Sequence, residues 1–343
     1  MLYILSYEEG GVMRASRRGR LWGLFGALAV VSAVALVAAG CGSSSSSSTA
    51  SPSPSASSAS VTVAGVTITA DPSLHALLPA NILKASQIRV ATDLPYPPWE
   101  MYVGNTKEVT GFEVDLLRAI GAKLGIKEVS FHQTSWDSVI LAVQGGKVDM
   151  IVGDMYDNTD REKQVTFVDY AYDGTSILVL KGNPQGITNL DSLAGKTVSC
   201  LGGSTQQALL ERLNTQFKSA GKKEMQILVL PGQPACLLAL KGGRAVADLS
   251  DHSTLEYIAM TTNDGNTFEV VTDAAAPKGY EPAIVGTAIL KTNTQLVTAV
   301  QKALQALIDD GTYATIIDKY GLLPVEAAQI NVAGQPASAS PTP

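Results

Sequence analysis

From Ile88 to Asp169 the chain reads IRVATDLPYPPWEMY, then GFEVDLLRAIGAKLG, then WDSVILAVQGGKVDMIVGDMYDNTDREKQVTFVD. That order of strand, helix and strand signals points to an α/β architecture. The apolar run Ile88 to Ala91 stops at the polar, Pro-rich segment Thr92 to Trp99. Asp93 and Tyr96 are therefore expected in a loop beyond a strand's carboxyl end, where open α/β sheets bind ligands.

Further along, single residues carry chemistry, and each has a plainer alternative. Arg161 follows Asn158 at the spacing of a helix start, after an apolar strand from Val148 to Val152. Its planar fork suits a carboxylate, whereas the plainer use is a surface pairing with Asp160. Leu201-Gly202-Gly203-Ser204-Thr205-Gln206 lies between a strand Thr197 to Leu201 and a helix from Gln206. Its backbone N–H groups and the Thr205 hydroxyl can face an anion, although glycines also serve merely to turn a strand into a helix. Asp251 ends the run ADLSD before a helix starting near Ser253, and capping that helix is the commoner use of such a residue. Tyr96 offers a flat wall for a ligand, Trp99 reads partly as a core aromatic, and Asp93 either meets a polar or cationic group or caps a turn.

The ends are of a different character. Residues Leu21 to Gly40 form an uncharged apolar run behind Arg14, Arg17, Arg18 and Arg20, which fits an export signal over 1–40. The run is also long enough for a membrane-spanning anchor. Ala38-Ala39-Gly40-Cys41 resembles a lipoprotein cleavage site, which makes Cys41 the lipid-bearing amino terminus. Glu8 and Glu9 are out of place before a signal, so Met13 competes with Met1 as the start, and Arg17-Arg18 leaves the export route open. Residues 41–71 read as a Ser/Ala/Pro-rich tether and lead-in, and 325–343 as a disordered tail.

Whole-chain charge is 25 basic against 31 acidic residues, and the segment after the signal is more acidic still, which disfavours nucleic acid as a partner. His75, His132 and His252 are scattered and no Cys or His pair has metal-ligand spacing, so neither metal nor cofactor is expected. Cys200 ends one expected strand and Cys236 opens the helix after the next, Ile227 to Leu230. The two can meet as a disulfide in an oxidising compartment, or remain as small buried thiols.

Several segments together resemble the family 3 extracellular solute-binding proteins, which deliver polar amino acids to ATP-driven importers. The matching residues are Asp93, Tyr96, Pro98 and Glu100, the GFEVDLL start at Gly111, Trp136 with Asp137 and Ser138, Gly146 with Asp149, and Arg161. LAGKTVSCLGGSTQQALLERL, GRAVADLSD and LVTAVQKALQALIDDGTYATIIDKYG extend the likeness to roughly 72–324. The resemblance implies a periplasmic-binding-protein type 2 fold: two three-layer α/β lobes joined by two crossover segments, with the ligand cleft between them. Lobe one would hold 72–173 plus 285–324, and lobe two 174–284. By the same resemblance Arg161 holds a ligand α-carboxylate, with Leu201, Gly203, Thr205 and Gln206 on its other side, and Asp251 accepts the α-ammonium. Around Gly153, Asp154 and Tyr156 the family usually has small residues; Asp154 and Tyr156 are larger and more polar, so a relative's substrate does not transfer directly.

These readings describe a lipid-anchored, extracytoplasmic amino-acid receptor, monomeric, without catalysis, handing its ligand to ABC permease subunits. Arg161 against Asp93, Asp154 and Asp251 leaves the site two charges negative, which favours a basic amino acid. A dehydratase-like enzyme of the same fold and a ligand-sensing domain are the alternatives. No Glu-His or Ser-His pairing in the matched loops supplies the first with an acid and base.

Overall fold

A computed structural model describes residues 60–333. Cys41, the expected signal and most of the expected tether lie outside them. The central ten-stranded sheet runs, in spatial order, Gln226–Leu230, Thr197–Leu201, Ala247–Asp251, Val165–Leu180, Tyr280–Leu290, Met150–Ile151, Gln87–Thr92 and Glu128–Gln133, with two further strands pairing onto Val165–Leu180. At one end Gln87–Thr92 pairs in parallel with Glu128–Gln133 and Met150–Ile151. At the other, Thr197–Leu201 pairs in parallel with Gln226–Leu230 and Ala247–Asp251.

Two long antiparallel strands join these halves, Val165–Leu180 with 16 residues and Tyr280–Leu290 with 11. The first contacts Leu323–Ile330 through Val168 to Tyr172, then Ala247–Asp251 through Thr175 to Leu178, so its partners change across Asp173 and Gly174. The second carries register shifts between Tyr280 and Ala283 and between Val285 and Gly286. Those irregularities sit where the two halves meet, the placement a hinge requires.

Each half has its own apolar core. Around the first, Thr294–Asp309 buries Leu296, Val297, Val300, Ala303, Leu304 and Leu307, a helical stripe laid against the buried residues of Phe112–Lys123. Full burial of one such leucine contributes roughly 1.5–3 kcal/mol. Gly111, just before the second helix, has φ of +136°, and a Cβ there would lie 2.2 Å from the Trp99 carbonyl oxygen. Only glycine lets the helix start that close to the loop 93–100. The second half packs Ile177, Val198, Leu210 and Leu249 between sheet and helix.

Three expectations need correction. The tail does not begin at 325: Leu323–Ile330 is a strand on Val165–Leu180, with Val325 and Ala328 buried, because VEAAQI still carries enough apolar surface to close the first core. The described part of the lead-in is not a tether: Ser60–Val63 and Val66–Thr69 form a hairpin that buries Val63 and Ile68, as β-branched alternation around Ala64-Gly65 favours. Cys200 and Cys236 are free and buried. The Cys236 thiol sits on the Asp248 carboxylate, and Cys200 is enclosed in the second core.

Candidate functional site

The two halves meet over a cavity of ≈ 20 Å³, about the room of a single water. Side chains from both sides latch across it. The Tyr96 hydroxyl, on a loop of the first half, reaches Ser250 at 2.7 Å and also donates to Asp251 of the second half. Trp99 Nε1 donates to Ser253 Oγ at 2.9 Å. A ligand larger than water enters this space only if the halves part.

Arg161 stands in the short helix Thr159–Glu162, capped by Asn158, whose side chain accepts from the Asp160 and Arg161 backbone. Its guanidinium lies 5.4 Å from the Trp136 ring centre and donates to the Tyr156 carbonyl at 2.9 Å. Among the described residues it makes no ion pair; Asp160 instead pairs with Lys163 at 2.6 Å. Burial draws the guanidinium down to about 10, opposed by Asp251 and Asp154. It still carries its charge at neutral pH.

Opposite, Asp251 occupies the position before the helix His252–Thr261, yet its side chain does not cap it. Asp173 does that work, accepting from the Ser253 hydroxyl at 2.5 Å and its N–H at 3.3 Å. Asp251 is thereby free to face the cavity, where one oxygen accepts from Tyr96 and the other from Gln206 Nε2 at 2.5 Å. Burial raises its carboxyl. Thr205 and Gln206 open the helix Thr205–Ser219 toward the cavity, with Ser204 as its cap.

Asp93 accepts from Gln133 Nε2 at 2.8 Å and from the Trp136 N–H at 3.3 Å. It is partly exposed, and burial raises it. Asp154 is different: its backbone has φ of +50° and its N–H donates to Glu113 at 3.1 Å, while both carboxylate oxygens are buried without a partner. Burial first, then Asp251, Asp173 and Glu113, pushes it well above the carboxylate range. Gly153, with φ of +133°, lies against Trp136, whose ring a Cβ would meet at 2.8 Å.

Nine of the residues singled out in the sequence thus line the cavity: Asp93, Tyr96, Gly153, Asp154, Arg161, Leu201, Thr205, Gln206 and Asp251. Three do not. Trp99 is fully buried, edge-on to Phe112 at 5.5 Å. Gly203 turns its N–H to Gln207 Oε1 at 2.9 Å and leaves the wall to Ser204. Tyr156 borders a neighbouring recess with Asp157, Asn158 and Thr175. Glu100 and Trp136 line the cavity although neither was assigned to it. Glu100 accepts from Thr92 at 2.8 Å and is held well above its usual range by burial and Glu113. Both stood among the residues carrying the family likeness; what was lacking was the direction in which each side chain points.

Two α/β halves on paired crossover strands, closing over a guanidinium and several carboxylates, define a two-lobed ligand-enclosing binding protein. Residues 88–322 match the family model for bacterial extracellular solute-binding proteins, family 3, and the chain belongs to that family. It is 28% identical over 256 residues to the lysine/arginine/ornithine-binding periplasmic protein of Escherichia coli (strain K12), covering 74% of this chain and 93% of that one. Among solved structures, an ancestral arginine-binding protein bound to arginine matches with TM-score 0.60 and 32% identity, over 69% of this chain and 98% of that one. An ancestral amino-acid-binding protein described as a precursor of cyclohexadienyl dehydratase matches with TM-score 0.58 and 29% identity, over 70% and 97%.

Proposed function

We propose that this protein captures a basic amino acid by closure of its two lobes and hands it to the permease of an ABC importer, held at the outer membrane face by a lipid on Cys41. The carrying observation is the excess of acidic groups over cations at the closed cavity. One guanidinium without an ion pair faces Asp93, Glu100, Asp154 and Asp251, each raised above its ordinary range with burial as the main cause. A zwitterion alone leaves that excess of acid unanswered, whereas an additional side-chain cation answers part of it. The lysine/arginine/ornithine-binding relative and the arginine-bound ancestral structure support the same choice. In this reading the carboxylate of the ligand lies on Arg161 and the first turn of Thr205–Ser219, and its side chain runs along Tyr96 toward Asp93.

The protein acts as a monomer, and binding is its whole reaction. The closed state is the one the permease meets, populated in proportion to the ligand's preference for it. Titrating L-arginine, L-glutamine and L-glutamate into ligand-stripped protein tests the reading: arginine binds tightest and is recovered unchanged by mass spectrometry. Tightest binding of glutamate removes the charge argument, and chemical turnover of the bound amino acid replaces a carrier by an enzyme.

A further inference from the structure

Asp251 and Asp154 are both buried at the cavity, but their acceptor capacity differs. Each oxygen of Asp251 already takes a donor from the protein, Tyr96 on one and Gln206 on the other. Neither oxygen of Asp154 accepts from an amide or hydroxyl, although the residue is 3% exposed and lines the same cavity; its carboxyl lies instead against those of Asp251 and Asp173 and shares a proton with them. Its backbone is fixed by Glu113. Buried carboxylate oxygens without donors are rare in folded proteins, and their cost is removed when a donor arrives.

We propose that Asp154 is a specificity-determining residue that receives the ammonium group of the bound amino acid, with Asp251 as the supporting second acceptor. The proposal rests on the amino-acid reading above and changes which carboxylate dominates it. An ammonium brings three N–H donors. Asp251 is already occupied by Tyr96 and Gln206, while Asp154 is held only by neighbouring acids, whose shared proton an ammonium can replace. Because Arg161 lies in the same wall, a ligand whose carboxylate sits on Arg161 has its α-ammonium within the same end of the cavity.

The surroundings of Asp154 add a consequence. Asp251, Asp173 and Glu113 face it from three other elements, and all three are negative or proton-bearing. Tyr96, Tyr156 and Tyr170 also lie in its field, and Arg161 is the nearby cation. In the ligand-free protein burial, and after it this crowding, favours the protonated form of Asp154. An arriving ammonium requires the carboxylate, so binding expels a proton and affinity rises with pH until Asp154 is ionised without ligand.

Calorimetry of ligand-stripped protein with L-arginine, repeated in buffers of different ionisation heat, reads that proton directly. Wild type is expected to release protons on binding. Asp154→Asn is expected to release fewer and to bind at least tenfold more weakly. The analogue 5-guanidinopentanoate, which lacks only the α-amino group, binds wild type far more weakly than arginine does, and Asp154→Asn loses most of that discrimination. Unchanged affinity, discrimination and proton release in a folded Asp154→Asn protein overturn the proposal. If that variant does not fold, wild type decides: arginine binding without proton release overturns it, and release with strong discrimination against the analogue supports it. Wild type that binds none of arginine, lysine or ornithine instead sinks the parent reading.

Discussion

Asp248 and Asp154 are both almost completely buried carboxylates, and they are treated in opposite ways. Asp248, inside the second lobe, accepts from Ser199 Oγ at 2.7 Å and Gln233 Nε2 at 2.7 Å, with the Cys236 thiol alongside. Among the described residues Asp154, at the cleft, has no amide, hydroxyl or thiol donor, only other carboxyls. A buried acid provided with donors holds a strand and a helix in register; a buried acid left without them destabilises the closed protein until something else supplies the donors. The contrast separates architecture from site more sharply than burial or charge does alone.

The largest effect that can break this separation is Arg161→Ala. Among the described residues the Arg161 side chain makes one hydrogen bond, to the Tyr156 carbonyl, one contact with Trp136 and no ion pair, so its loss should leave the protein folded. It should weaken amino-acid binding by about 2–5 kcal/mol, because the ligand carboxylate then loses its charged partner in a dry cavity. Calorimetry and a melting curve on one preparation check both halves. A folded variant with the wild-type dissociation constant takes Arg161 out of the site.

The next effect concerns pH. Burial raises Asp157 to about 6, Asp173 and Asp248 to about 7, and Asp169 to about 8. Each keeps in the folded state a proton that the unfolded chain releases near its ordinary value of 3.8. Their contribution to stability is therefore complete below about pH 4 and is lost as pH rises through about 6 to 8. The melting temperature of ligand-free protein should fall by several degrees from pH 5 to pH 8. Asp169→Asn should flatten the upper part of that fall, since Asp169 is fully buried with neither oxygen hydrogen-bonded. A melting temperature that climbs over this range contradicts the assignment of buried protons.

How far the sequence shows these features depends on whether they are local. Strand-loop-helix order places Asp93, Tyr96, Arg161, Thr205 and Asp251 at strand ends without any coordinates, because hydrophobic period and turn chemistry are local properties. Side-chain direction is not local. Trp99 turns to Ser253 and Glu100 to Thr92, and those partners lie 154 and 8 residues away. Asp251 reads as a helix cap in the sequence, and only the fold reveals that Asp173 has taken that role from another strand. Composition misplaced the tail for a similar reason: Leu323–Ile330, with Pro324, Glu326 and Gln329 among its residues, does not read as a strand alone and is held by pairing with Val165–Leu180.

The smallest expected effect sharpens the comparison most, because the same substitution should act with opposite signs at the two acids. Asn replaces one carboxylate oxygen by an NH₂ group that can only donate. At position 154 the neighbours are Asp251, Asp173 and Glu113, all able to accept, so the Asn amide offers them two donors where the protonated acid offers one. At position 248 the neighbours are Gln233 Nε2, the Ser199 hydroxyl and a thiol, so one new N–H group faces an existing donor. Asp154→Asn should therefore stabilise the ligand-free protein by about 0.5–1.5 kcal/mol, and Asp248→Asn should destabilise it by a similar amount. Urea unfolding at pH 7.5 without ligand measures both. The same sign at both positions would mean that hydrogen-bond satisfaction does not distinguish the site from the scaffold. Opposite signs, with weakened amino-acid binding only at position 154, would show stability given up at the cleft in exchange for recognition.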